Sequence, residues 1–265
     1  MKDLENAGRN WVLILGGSSG LGLATAKKFA QHGYHLIVIH RDRKVGLPVL
    51  LKELDELRAL GVKVANFNTD ATNTEKRRHL ITKIGGLLGA QEKVKVLVHS
   101  IAKGNLKPMQ SKAMPVLDHS DFQLTINAMA ISLYDWTKDL IAAQLLASDT
   151  RILAFTSEGS TKAWRHYAAV SAAKASLEAI VRNIALEFAP NGIRANCIQA
   201  GITDTPSFQK IPGSKVLRNN ALKRNPSKRL TLPVDVANVA YLLSLNEAKW
   251  ITGTIIKADG GESLQ

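Results

Sequence analysis

Seven short apolar runs rich in β-forming residues alternate with amphipathic stretches along this chain, and no other feature restricts its fold as much. The runs cover residues 11–16, 35–40, 62–67, 94–99, 151–156, 193–198 and 254–258. Between them, segments such as 47–60 repeat Leu50, Leu51, Leu54 and Leu57 at helical spacing among Lys, Glu and Asp. Strands that return parallel need helical crossovers. The order therefore predicts an α/β fold: a doubly wound, seven-stranded parallel sheet with helices on both faces. Longer helices are predicted at 118–146 and 167–189, the second stopped by Pro190, Asn191 and Gly192. No linker, repeat or low-complexity tract divides residues 1–265, which predicts a single domain. Residues 201–230 form a polar excursion broken by Pro206, Pro212 and Pro226, of a length that usually carries function.

The first strand runs into Gly16-Gly17-Ser18-Ser19-Gly20-Leu21-Gly22 and then a helical pattern. Glycines let the backbone turn sharply and approach a pyrophosphate, while the free N–H groups and dipole of a helix start favour the anion. At the opening of a βαβ unit this turn reads as a dinucleotide site, and no Gly-Lys-Ser/Thr follows to make a Walker-type loop. NAD-binding folds place an acid about 20 residues on, to accept the ribose hydroxyls. Here position 40, 18 past Gly22, is His, followed by Arg41-Asp42-Arg43-Lys44. Arg41 can stack on adenine and pair with a 2′-phosphate, so NADPH is favoured over NADH. Asp42 is the residue that could still serve a ribose.

Composition narrows the function classes. Hydrophobic residues make up 45% and charged residues 22%, Cys197 is the single cysteine, and residues 1–10 are polar. With no apolar run near the roughly 18 residues of a membrane span, a globular cytoplasmic protein is expected. The histidines and Cys197 form no H-E-x-x-H or C-x-x-C, so no metal is expected. Lys and Arg number 35 against 22 Asp and Glu, a net charge of +13 that admits nucleic acid, anionic membranes, acidic proteins and phosphate ligands. Lys210, Lys215, Arg218, Lys223, Arg224, Lys228 and Arg229 carry much of it in one interval without an acid.

Taken in order, these motifs resemble the short-chain dehydrogenase/reductase family over nearly the whole chain. Gly16 to Gly22 is similar to its phosphate loop, with Leu15 in place of the usual threonine. Asp70-Ala71 resembles its adenine contact, Asn127 its helix asparagine and Lys174 its catalytic lysine. Residues 201–205 resemble its nicotinamide loop, and Thr252-Gly253 through Asp259-Gly260-Gly261 its last strand. The resemblance implies a Rossmann-type domain, a homotetramer and a substrate lid at about 203–230. It implies cofactor contacts from Gly16, Ser18, Ser19, Leu21, Gly22, Arg41, Asp70, Ala71, Ser100, Ile101, Lys174, Thr203 and Thr205.

One departure is informative. The common family pattern has Tyr four residues before the Lys, where Val170 stands here and cannot donate a proton. Tyr167 lies seven before Lys174; seven helical steps fall about 20° short of two turns, so both can share a helix face with the phenol roughly 4.5 Å further back. A carbonyl reductase needs its phenol at the oxygen on the carbon that takes hydride. Reduction of a 2-enoyl thioester instead sends hydride to the β-carbon while charge develops on the thioester oxygen two carbons away, which suits a displaced donor. This spacing, with His99-Ser100-Ile101-Ala102 where dehydrogenases have Asn-Asn-Ala-Gly, resembles the enoyl-acyl-carrier-protein reductase branch. Ser157 stands where many of that branch carry a second Tyr and where ordinary family members carry a catalytic serine. The combination is most similar to the NADPH-linked enoyl reductase III subgroup.

The resemblance thus implies Tyr167, Lys174 and Ser157 as catalytic residues, with Asn127 holding a helix bend and a water relay. It implies an acyl carrier protein or acyl-CoA thioester as substrate, the carrier meeting the basic interval, for which Arg224 and Lys228 are the test positions. A 3-oxoacyl or other carbonyl reductase is the alternative within the same chemistry. A non-catalytic nucleotide-sensing or nucleic-acid-binding scaffold is the alternative from another class, and the joint presence of Tyr167, Lys174, Ser157 and Asn127 argues against it. Neither a nucleic acid nor a membrane partner is expected.

Overall fold

The predicted strands form as β1 (Asn10–Leu15), β2 (His35–His40), β3 (Val64–Asn68), β4 (Lys93–His99), β5 (Leu146–Ser157), β6 (Ile193–Ala200) and β7 (Ile255–Ala258). They make one sheet of order β3-β2-β1-β4-β5-β6-β7 with every pairing parallel. The structure is a computed structural model that describes residues 10–265; the rest of the polar amino-terminal stretch lies outside the described residues. Successive strand residues point to opposite faces, and both faces of this sheet are apolar. Trp11, Leu13 and Leu15 pack with α3 (Thr74–Leu87), α5 (Ser132–Ala142) and α6 (Ala168–Glu187), through Leu80, Trp136 and Leu177. Val12 and Ile14 pack with α1 (Gly20–Gln31), α2 (Leu47–Arg58) and α9 (Pro233–Leu242), through Phe29, Leu54 and Val236. This is a Rossmann-type, doubly wound sheet. β1 lies between β2 and β4, so the chain reverses its direction of travel there and opens a crevice at the strands' carboxyl ends.

Three local expectations change. The helix predicted at 118–146 is interrupted: α4 (His119–Ile126) starts at a capping box of Asp118 and Asp121, a π turn spans Asn127–Ile131, and α5 ends at Ala142. Periodicity hides such a break because each piece keeps an apolar face. Tyr167 is not in α6. It is the N-cap, with φ −116 and ψ 1, and follows His166 in the left-handed region at φ 62. The two-turn argument for Tyr167 and Lys174 therefore does not apply, and the turn entering α6 sets the phenol instead. The excursion at 201–230 also carries two helices, α7 (Pro206–Gln209) and α8 (Ser214–Arg224), and α8 buries only Ala221, too little apolar surface to show as a pattern. Among the described residues no helix is long and apolar enough to cross a membrane, and no cluster of His, Cys, Asp or Glu could hold a metal ion.

Candidate active site

The crevice at the switch point is a cavity of about 430 Å³. Its floor is the glycine turn. Gly16 has φ +86, and a Cβ there would stand 2.6 Å from the Ser100 carbonyl oxygen; one on Gly22 would stand 2.2 Å from that of Gly16. Gly22 is thus a packing residue that seats α1 on β1, and it does not line the cavity wall. Gly16, Ser18, Ser19 and Leu21 do line it. Ser19 is the N-cap of α1 with its hydroxyl uncommitted to capping, and no acid occupies the first turn. Unpaired helix N–H groups beside a glycine cradle fit a dinucleotide pyrophosphate.

The strand ends on either side build the part of the cavity where the family resemblance implies the adenosine. Asp70, after β3, accepts the Thr72 hydroxyl at 2.6 Å and its N–H at 2.9 Å, and takes Arg41 at 3.1 Å and Lys103 at 3.2 Å on its other oxygen. Burial alone would raise the Asp70 pKa, but the Thr72 and Lys103 donors hold it well below the usual carboxylate range. Asp42 turns back to His40 Nδ1 at 2.8 Å and its backbone is clasped by Asn68, leaving the Arg41 side chain, 60% exposed, as the open group. Burial lowers the His40 pKa against the raising influence of Asp42. Ala71, Ser100 and Ile101 also face the cavity. Two supports escaped sequence reasoning. Lys103 bears no motif, and Trp136, fully buried on α5, donates its indole N–H to the Ala71 carbonyl at 2.9 Å and so holds that turn in place.

At the other end, Ser157 closes β5 and its Oγ stands 3.4 Å from the Tyr167 hydroxyl. That phenol is 7% exposed, and burial pushes its pKa up. Lys174 rises from α6 to donate to the Phe155 carbonyl at 2.6 Å, and burial lowers its pKa to about 8 against the raising influence of Cys197 and Glu178. Cys197 is itself buried, its thiol pushed up to about 12 by burial. Gly159 decides where the phenol sits: a Cβ there would come within 2.5 Å of Tyr167 Cε1. Asn127 is not part of the cavity wall; it opens the π turn, at a helix bend. Beneath the site, His99 is fully buried with Nε2 at 2.9 Å from Ser132 Oγ, which donates onward to the Ala128 carbonyl. Nε2 must then be the donor. Burial and the Lys174 charge depress its pKa to about 3, so the ring is neutral.

The loop expected to receive the nicotinamide lines the same cavity through Ile202, Thr203 and Thr205, and Thr205 caps α7 by accepting the Phe208 N–H. Ile101, Leu106, Met129, Trp164, Val170, Phe208 and Ile211 add an apolar wall next to the phenol. The basic interval is only partly a free surface. Arg224 turns inward to Glu158 at 3.0 Å and Glu262 at 2.8 Å, and Arg229 pairs with Asp235 at 2.6 Å. Lys228 bonds the Lys223 carbonyl. Arg224 is therefore unsuitable as a carrier-docking position. Lys210, Lys215, Arg218, Lys223 and Lys228 remain exposed.

A family model described as "Enoyl-(Acyl carrier protein) reductase" matches residues 16–263. The chain is 27% identical to a tropinone reductase homologue of Arabidopsis thaliana, covering 95% of this chain and 90% of that protein. It is also 27% identical to the 3-oxoacyl-[acyl-carrier-protein] reductase FabG of Thermotoga maritima, covering 94% and 96%. Among solved structures, the enoyl-[acyl-carrier-protein] reductase (NADH) of Aquifex aeolicus superposes with a TM-score of 0.82 at 24% identity, covering 97% of each chain, a likeness of fold.

Proposed function

The chain belongs to the short-chain dehydrogenase/reductase family, and from that premise we propose that this NAD(P)H-dependent oxidoreductase uses NADPH to reduce the 2,3 double bond of enoyl thioesters in fatty acid synthesis. The observation that carries the reading is the position of the proton donor. Val170, four residues before Lys174, presents an apolar side chain to the cavity, while the phenol of Tyr167 enters from the turn ahead of the helix. A donor set back from the hydride-accepting carbon serves an oxygen two carbons away. The apolar wall of Leu106, Met129, Trp164 and Ile211 suits an acyl chain.

When bound, the nicotinamide supplies the hydride. Tyr167, protonated because it is buried, donates toward the thioester oxygen as negative charge grows there, and Ser157 supports that hydroxyl. Lys174, held against the Phe155 carbonyl, binds the nicotinamide ribose and adds positive charge near the phenol. Arg41 takes the 2′-phosphate, with Asp70 fixing its head. Asn127 shapes the bend and a water relay. The five exposed cations of the lid meet the acidic surface of an acyl carrier protein; Lys215→Glu with Arg218→Glu then raises KM for a carrier-linked substrate far more than for a short thioester. The same reading includes a homotetramer, for which Trp250, 94% exposed, and Leu186, 75% exposed, offer apolar surface.

A carbonyl acceptor, such as a 3-oxoacyl thioester, is the second reading, favoured by the pairing of Ser157 with Tyr167. One assay separates them: consumption of NADPH and of NADH, each with a 2-enoyl and a 3-oxoacyl thioester. Turnover of the 3-oxoacyl substrate alone overturns the first reading, and a preference for NADH overturns the cofactor assignment.

A further inference from the structure

We infer that Arg224 is a positioning residue that ties the substrate lid to both halves of the reaction centre. It ends α8, and its guanidinium reaches two carboxylates that belong to different working parts. Nη2 stands 3.0 Å from Glu158 Oε2, and Nη1 3.4 Å from Glu158 Oε1. Glu158 directly follows Ser157 at the proton-donor end. Nη2 also stands 2.8 Å from Glu262 Oε1, and the other oxygen of that carboxylate accepts the backbone N–H of Ile202, in the nicotinamide loop, at 3.0 Å. One side chain therefore links the lid, the strand end beside the phenol and the loop that receives the nicotinamide.

The chemistry fits a link rather than general packing. Glu158 is 8% exposed and Glu262 3%, and both line the cavity. Lys162 also pairs with Glu158, whereas Arg224 is the cation paired with Glu262 among the described residues. A planar guanidinium can serve two carboxylates at once, and an ammonium cannot do so with the same geometry. Removing it leaves a buried carboxylate uncompensated beside Ile202. The next residue reinforces the joint, since Asn225, 2% exposed, donates to the Asp259 carbonyl at 3.0 Å in the turn that carries Glu262. Seating of the lid and ordering of the nicotinamide loop are thus one equilibrium. By reciprocity, cofactor tightens the lid by the same factor by which the seated lid tightens cofactor.

The test needs no thioester, so its outcome is separate from that of the enoyl reading. Trypsin cleavage at Lys215, Arg218 and Lys223 is followed with and without saturating cofactor, and cofactor Kd is measured by nucleotide fluorescence. NADPH is the probe, or NADH if the wild type binds it more tightly. In the wild type, cofactor slows cleavage of α8. In Arg224→Met this protection is lost and Kd rises about tenfold, while Arg224→Lys falls between the two and carries the test if the Met variant does not fold. Adding Glu262→Gln to Arg224→Met weakens binding no further, because the link is already cut. Asn219→Ala, exposed on the same helix and outside the link, leaves protection and Kd unchanged. Absence of protection in the wild type, protection and Kd retained in both Arg224 variants, or additive losses in the double variant overturns the inference.

Discussion

Replacing Tyr167 by Phe takes one oxygen out of a wall that otherwise keeps its shape, because the ring still packs beside Trp164, with centroids 5.0 Å apart, and over Gly159. The phenol is 7% exposed and its pKa is raised by burial, so it is a protonated donor throughout the neutral range. Its hydroxyl neighbour Ser157, 3.4 Å away, is already accepting the Gly159 N–H. Loss of one donor to a developing oxyanion in a water-excluded site costs about 3 kcal/mol. At about 1.4 kcal/mol per decade of rate, that is about a hundredfold or somewhat more. The assay is steady-state NADPH consumption with a 2-enoyl thioester, together with NADPH titration of the free enzyme. Turnover falls by that factor while NADPH affinity holds, since Lys174 keeps its bond to Phe155. Wild-type turnover in Tyr167→Phe refutes the assignment, and an equal loss of NADPH binding shows that the hydroxyl holds the cofactor rather than donating the proton.

Gly159→Ala drives a Cβ to 2.5 Å from Tyr167 Cε1 and displaces the phenol, so turnover falls about tenfold or more with the cofactor Kd unchanged; wild-type kinetics in this variant contradict the geometry. Lys174, with its pKa lowered to about 8, is a cation below that value, so kcat/KM falls as pH rises through about 8, and Lys174→Arg removes the inflection. His99 has an ordinary pKa of 6.5 when unfolded and about 3 when folded. Between those values the unfolded chain binds the extra proton, so stability drops as pH falls, by about 1.4 kcal/mol per unit. Urea melts of His99→Gln show a flatter acid limb, and an unchanged slope contradicts the burial argument. Arg41→Ser raises the Kd for NADPH about tenfold or more and leaves NADH nearly unaffected; equal losses for both would place Arg41 on the adenine alone.

The seven-strand parallel fold and the phosphate turn were legible in the sequence because both rest on local rules. Strands buried on both faces need apolar runs, and a backbone that meets Ser100 at 2.6 Å from a missing Cβ needs Gly16. That Tyr167 and Lys174 face one cavity was legible as spacing, although the reason was not. Helical arithmetic put them on one face, whereas the chain enters α6 only after the phenol, and Gly159 leaves it room. The indole of Trp136 under Ala71 and the cation of Lys103 beside Asp70 had no local signature, since each joins residues far apart in the chain, and the bend at Asn127 was legible only through the family resemblance. The basic interval shows the division most clearly. Sequence determined that seven cations stand there without an acid; only the tertiary structure decided that Arg224 faces inward, because Glu158 and Glu262, buried and brought together from β5 and the chain's end, need a partner that water cannot replace.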